Sequence, residues 1–130
     1  MKYLLDTCIL LWCLEGNTKK LTPFLDIIED AENDLAVSVV TYWEIVIKQS
    51  LGKLDLPPLD ELIEIVKETG FSTMSLDILH IRQLEKMPLI HNDPFDRLLI
   101  AQSVVEQVIL LTTDEKILLY PEMRVYSLRV

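Results

Sequence analysis

Cysteine is nearly missing from this chain: 130 residues contain only Cys8 and Cys13, both inside one apolar segment. A disulfide framework is thereby excluded, a reducing compartment is implied, and both thiols are expected to be small buried apolar side chains. No Cys/His spacing matches a zinc site. His80 and His91 find no partners for a nucleophilic triad, and His91, beside an acidic turn, reads as a local hydrogen-bonding residue. Long apolar runs are also missing, so nothing is expected to span a bilayer. The Tyr3 to Leu14 run is broken by Asp6, is followed by Glu15 and lacks a cleavage pattern, which predicts no targeting segment and a cytoplasmic location. Basic residues are scarce: 12 Lys and Arg stand against 21 Asp and Glu, a net charge of −9. This excludes a protein that binds nucleic acid through an overall basic surface. It leaves room for a site where cations meet phosphates, and it suits a basic protein partner. Without repeats, low-complexity runs or a long linker, the chain reads as a single domain over residues 1–130.

What is present is a core. Half of the residues are hydrophobic, and strand and helix patterns alternate. Tyr3-Leu4-Leu5 is a short buried strand ended by Asp6, and Thr7 to Leu14 is a helix closed by Gly16. Thr22-Pro23 reads as the start of another helix. Leu35 to Val40 is apolar enough for a strand covered on both faces. A helix follows, with Thr41 as N-cap and Glu44 completing a capping box. Leu56-Pro57-Pro58 is a stiff connector, a candidate hinge or base of a protruding helical hairpin, before a helix through Leu59, Leu62 and Val66 that ends at Gly70. Phe71 to Leu76 is a weaker strand and Asp77 to Met87 a helix stopped by Pro88. Asp93 as N-cap, Pro94 and Asp96 open a helix that runs to about Gln107. Val108 to Leu111 is a strand, Ile117 to Tyr120 a helical turn, and Val125 to Leu128 an edge strand. This alternation predicts an α/β sandwich around a mostly parallel sheet.

In such a sheet, ligands bind at the carboxyl ends of the strands. Asp6 ends the first strand, Glu44 sits in the first turn after the second, and Asp114 lies just past the fourth. The helix bearing Asp96 begins at the same edge, with Asp93 close behind. Each acid has a structural role open to it: capping for Asp6, Asp93 and Glu44, a turn for Asp114. None of those roles explains their common location. Clustered carboxylates repel, so the group implies bound cations or raised pKa values. All-oxygen ligation favours Mg²⁺ or Mn²⁺ over zinc, and such ions serve phosphodiester chemistry.

Leu4-Leu5-Asp6-Thr7, Ser38 to Ile45 with Glu44, His91-Asn92-Asp93-Pro94-Phe95-Asp96-Arg97 to Gln102, and Leu111-Thr112-Thr113-Asp114 together resemble the PIN-domain family. Within it they are most similar to bacterial VapC-like toxins of toxin–antitoxin pairs. The likeness covers nearly the whole chain in the right order. It implies a three-layer α/β/α fold with a central parallel sheet and a Mg²⁺- or Mn²⁺-dependent endoribonuclease. It also implies a catalytic and metal-binding quartet of Asp6, Glu44, Asp96 and Asp114, with Asp93 a secondary acid and Thr7 a hydroxyl near the metal. Glu115 competes with Asp114. The expected partners are RNA, a cognate antitoxin whose tail enters the groove, and a second copy in a homodimer. Lys48, Arg97 and Lys116 could touch phosphate. Trp12, Tyr42 and Trp43 could stack on bases, although core or dimer packing is the expectation for Trp43.

Three other readings fit parts of this pattern. A haloacid-dehalogenase-type phosphatase wants a second Asp where Cys8 stands. A receiver domain wants its phosphoacceptor at the end of the third strand, which Leu76-Asp77 mimics only loosely. A non-catalytic PIN-like binding module would keep the fold and act through partners.

Overall fold

The computed structural model describes residues 1–128. Four strands, β1 (Lys2–Leu5), β2 (Asp34–Ser38), β3 (Ser72–Met74) and β4 (Ile109–Leu111), form one sheet in the order β3-β2-β1-β4. Every pairing is parallel. Between β1 and β2 lie α1 (Thr7–Glu15), α2 (Thr18–Leu21) and α3 (Leu25–Glu29). Between β2 and β3 lie α4 (Val39–Ser50) and α5 (Leu59–Glu68). The helices α6 (Ile78–Leu84) and α7 (Pro94–Glu106) precede β4, and α8 (Glu115–Leu118) and α9 (Met123–Tyr126) follow it.

Side chains alternate across a strand, and here both sets are buried. Tyr3, Leu5, Leu35, Val37 and Leu111 enter one core, where Ile9, Leu10, Ile45, Leu62 and Val66 meet them from α1, α4 and α5. Leu4, Ala36, Met74 and Leu110 enter the other, packed against Leu98, Leu99, Ile100 and Ala101 of α7, with Ile117, Tyr120 and Met123. The result is the three-layer α/β/α arrangement around a parallel sheet that the alternating pattern predicts.

Several boundaries differ from the sequence reading, each for a local reason. The helix after β2 starts at Val39, because the Ser38 hydroxyl accepts the Val40 N–H at 3.0 Å and caps it. Thr41 is therefore buried inside α4, and Glu44 belongs to its second turn and makes no capping box. Thr22 closes α2 and is not an N-cap: its hydroxyl donates back to the Thr18 and Lys19 carbonyls at 3.2 and 2.8 Å, and the helix expected from Thr22-Pro23 begins as a 3-10 turn over Thr22–Phe24 that leads directly into α3. The Pro57-Pro58 connector leads to no protruding hairpin, since Leu62 and Val66 dock α5 into the first core. Val125 lies in α9, so among the described residues the edge strand reduces to one parallel bridge from Ser127 to Leu110. Both ends of α7 are marked. Asp93 Oδ1 accepts the N–H groups of Phe95 and Asp96, and Gln107 closes the helix with φ 56°, in left-handed space.

Candidate active site

The chain leaves β1 toward β2 and β3 and returns to β4 on the other side of β1. Strand order reverses there, which opens a crevice at the carboxyl ends of β1 and β4. Asp6 stands at its floor. The Asp6 N–H donates to the Leu111 carbonyl at 3.1 Å, continuing the ladder. One Asp6 carboxylate oxygen caps α1 by accepting the Ile9 N–H at 2.8 Å, and the other accepts the Thr112 hydroxyl. The Thr112 oxygen in turn accepts the Asp114 N–H at 3.0 Å, and Asp114 caps α8 through the Lys116 N–H at 2.8 Å. Thr112 thus holds the acids of β1 and β4 in one hydrogen-bonded unit.

Glu44 arrives from α4 and is buried. Thr7 Oγ1 donates to its Oε1 at 2.6 Å, and Lys48 Nζ pairs with its Oε2 at 2.8 Å from the next turn. Asp96 arrives from the first turn of α7, and its Oδ2 meets His91 Nε2 at 3.1 Å. Asp6, Glu44, Asp93, Asp96 and Asp114 all line one cleft of about 130 Å³, together with Thr7, Cys8 and Lys48. Two larger hollows near Phe71 have one carboxylate each, Asp30 in one and Glu29 in the other. Charge, and not volume, marks the site.

The electrostatics follow from this crowding. Burial pushes Asp6 up to about 6 from its usual value of 3.8, Asp96 and Asp114 add repulsion, and the hydrogen bonds from Thr112 and Ile9 oppose the rise. Burial likewise pushes Asp96 to about 6, helped by Asp93, Asp114 and Glu44 and opposed by the His91 hydrogen bond. The hydrogen bond to Glu44 raises Lys48. Carboxylates that disfavour each other's charge are the donor set a hard divalent cation relieves. The donor chemistry therefore fits Mg²⁺ or Mn²⁺. As the side chains stand, no three Asp, Glu, His or Cys groups among the described residues form a closed coordination shell. The oxygens of Asp6 and Glu44 are occupied instead by hydroxyl, amide and ammonium donors.

A PIN domain profile matches residues 3–122, nearly the whole chain. The chain belongs to the PIN domain family. PIN domains are generally nucleases that use divalent metal. The fold is also similar to the 2.2 Å resolution structure of VapBC-1 from nontypeable Haemophilus influenzae, with a TM-score of 0.63, 19% identity and 89% of each chain covered. No curated protein matches the chain. No helix among the described residues is long and apolar enough to cross a membrane.

Within this PIN domain all five acids singled out from the sequence reach one cleft. Asp114, and not Glu115, lines it; Glu115 is exposed in the first turn of α8. Asp77, the acid a receiver domain would need, caps α6 by accepting the Leu79 N–H at 2.8 Å. Lys48 lines the cleft, whereas Arg97 is turned to the Pro88 carbonyl and the Tyr120 hydroxyl. Trp43 is no core residue: it is 48% exposed and meets Phe95 edge-on at 4.9 Å. Cys8 lies at the cleft and is exposed, not packed in a core; partial desolvation of its thiol against the cleft wall, with Asp6 nearby, pushes its pKa up. Sequence reasoning missed Thr112, whose hydroxyl joins Asp6 to Asp114. Its signal was available, since a Thr two residues before an acid and just past a strand offers an ST-turn.

Proposed function

We propose that this PIN domain is a Mg²⁺- or Mn²⁺-dependent endoribonuclease, the VapC-like toxin of a toxin–antitoxin pair acting in the cytoplasm. The observation that carries the reading is the meeting of Asp6, Glu44, Asp96 and Asp114, from four separate elements, in one cleft at the sheet's switch point. These four would hold the metal, with Asp93 shaping the first turn of α7 behind Asp96. The bound ion supplies charge neutralisation at an RNA phosphate and an activated water for in-line attack on phosphorus.

The chain's own residues prepare that site. Thr7 orients the Glu44 carboxylate. Thr112 holds Asp6 and sets the turn that presents Asp114. Lys48 balances one charge on Glu44 and offers a cation to a phosphate oxygen at the cleft. Trp43 and Phe95 give an aromatic pair from α4 and α7 on which a base can stack. The acidic cleft suits a basic segment of a cognate antitoxin as its blocking partner. A homodimer completes the reading.

One observation favours a second reading. Lys48 already meets Glu44, so the cleft has a built-in cation, as a non-catalytic PIN-like binding module would need. Purified protein incubated with a mixed RNA pool in Mg²⁺, Mn²⁺ or EDTA separates the two. Cleavage that requires metal and vanishes in Asp96→Asn supports the nuclease. Metal binding absent from calorimetry, with no cleavage, supports the binding module.

A further inference from the structure

Asp96 does not stand alone behind its cleft. His91 Nε2 lies 3.1 Å from Asp96 Oδ2, His91 Nδ1 lies 2.8 Å from the Tyr120 hydroxyl, and Arg97 Nη1 lies 3.0 Å from the same hydroxyl and 2.9 Å from the Pro88 carbonyl. Tyr120 is 1% exposed and seated in the second core. His91 also packs edge-on against the Tyr120 ring, with centroids 5.4 Å apart.

Hydrogen counting gives this row a direction. A guanidinium only donates, so the Tyr120 oxygen accepts from Arg97. It also receives the His91 backbone N–H at 3.4 Å. A phenol oxygen has no room for a third donor, so the Nδ1 contact runs the other way, with the Tyr120 O–H donating to a bare Nδ1. The alternative acceptor for that proton, the His91 carbonyl, is farther away at 3.4 Å. The proton of a neutral His91 therefore sits on Nε2 and points at Asp96.

We propose that Tyr120 and His91 are positioning residues: an Arg97→Tyr120→His91→Asp96 chain of donors fixes the His91 tautomer and holds the Asp96 carboxylate in the orientation that a divalent cation requires. The metal part of this inference rests on the nuclease reading; the tautomer part does not. Carboxylate ligands fixed by an outer hydrogen bond lose metal affinity when it is removed. The fully buried ring of Tyr120 makes the chain rigid, since no solvent competes for the hydroxyl.

The test combines the metal-free protein and Mn²⁺ alone. Long-range ¹H–¹⁵N spectra at pH 8 should show His91 as the Nε2–H tautomer in wild type, and Tyr120→Phe, which keeps the ring in the core, should leave Nδ1 without its donor and shift the Nδ1 resonance. Calorimetry should show Mn²⁺ binding weakened roughly 10-fold or more in Tyr120→Phe and His91→Asn. His91→Gln, whose amide can replace the Nε2 donor, should bind Mn²⁺ close to wild type. An Nδ1–H tautomer in wild type, or an unchanged Nδ1 resonance and Mn²⁺ affinity in Tyr120→Phe, overturns the proposal. Equal losses in His91→Gln and His91→Asn overturn it too, because a merely space-filling imidazole would give that result. Wild type that shows the Nε2–H tautomer and the Tyr120→Phe effects but cleaves no RNA contradicts the nuclease reading and leaves the chain of donors standing.

Discussion

Ser38 Oγ donates to Gln102 Oε1 at 2.6 Å, and both residues are fully buried. Ser38 ends β2 and caps α4, the helix of Glu44. Gln102 lies on α7, the helix of Asp96. The Gln102 amide also donates to the Ser75 carbonyl at 3.3 Å, just past β3. One side chain thus ties the ends of two strands to the helix that crosses behind them. Gln102→Leu keeps the volume but strands the Ser38 hydroxyl and the Ser75 carbonyl, each a cost of about 1–3 kcal/mol. Denaturant melts should show a combined loss of roughly 2–6 kcal/mol, partly recovered by adding Ser38→Ala. Full additivity of the two substitutions would show that the pair is not coupled.

Asp96→Asn should separate stability from function. It removes one of the like charges that crowd Asp6, so metal-free protein at pH 7 should melt a few degrees higher than wild type. It should also lose most of the stabilisation that Mg²⁺ or Mn²⁺ gives wild type. Thermal melts with EDTA and with metal measure both effects, and a variant that melts lower in EDTA would contradict the repulsion argument.

The pH dependence of metal-free stability has a defined sign. Asp6 and Asp96 have native values of about 6, above the roughly 3.9 of an unfolded Asp. Between those values the native state holds protons that the unfolded state has released. These two groups therefore make stability fall as pH rises from about 4 to 6, with no further loss well above the native values. Urea melts in EDTA across pH 4 to 8 should show this contribution as a difference between wild type and Asp96→Asn. The variant should have the flatter profile; identical profiles would refute the assignment for Asp96.

Thr112→Val tests the residue that sequence reasoning missed. Without its hydroxyl, Asp6 loses a hydrogen bond that lowers its pKa, and the Asp114 N–H loses its acceptor. Mn²⁺ affinity should drop about 10-fold, and the pH at which metal begins to bind should move upward. Thr112→Ser should restore both, which a simple packing defect would not predict.

Gln107 offers a gain. It closes α7 at φ 56°, a conformation that costs a non-glycine residue about 1 kcal/mol or more. Gln107→Gly should raise the melting temperature by a few degrees without altering metal binding, as the site lies at the far end of α7. A lower melting temperature would mean that the Gln107 side chain contributes more than its backbone strain costs.

Much of this protein was legible in its sequence. Tyr3 to Leu5, Leu35 to Val37 and Leu110-Leu111 are too continuously apolar for a half-exposed sheet, so helices on both faces follow from burial alone. Asp93-Pro94 specifies a helix start through its own cap chemistry, and the acids in order along the chain predict a shared edge once the sheet is parallel. Tertiary structure decided the rest. Ser38 displaced Thr41 as the cap because Gln102, 64 residues away, holds it there. Val125 joined a helix, and not a strand: its N–H donates to the Glu122 carbonyl, and among the described residues that follow β4 it is Ser127 that bridges to Leu110. Thr112, His91 and Tyr120 acquired their places around Asp6 and Asp96 through hydrogen bonds between residues distant in the chain. Periodicity and capping act within a few residues and can be read locally; the partner of a buried polar group is chosen by packing, which no local pattern encodes.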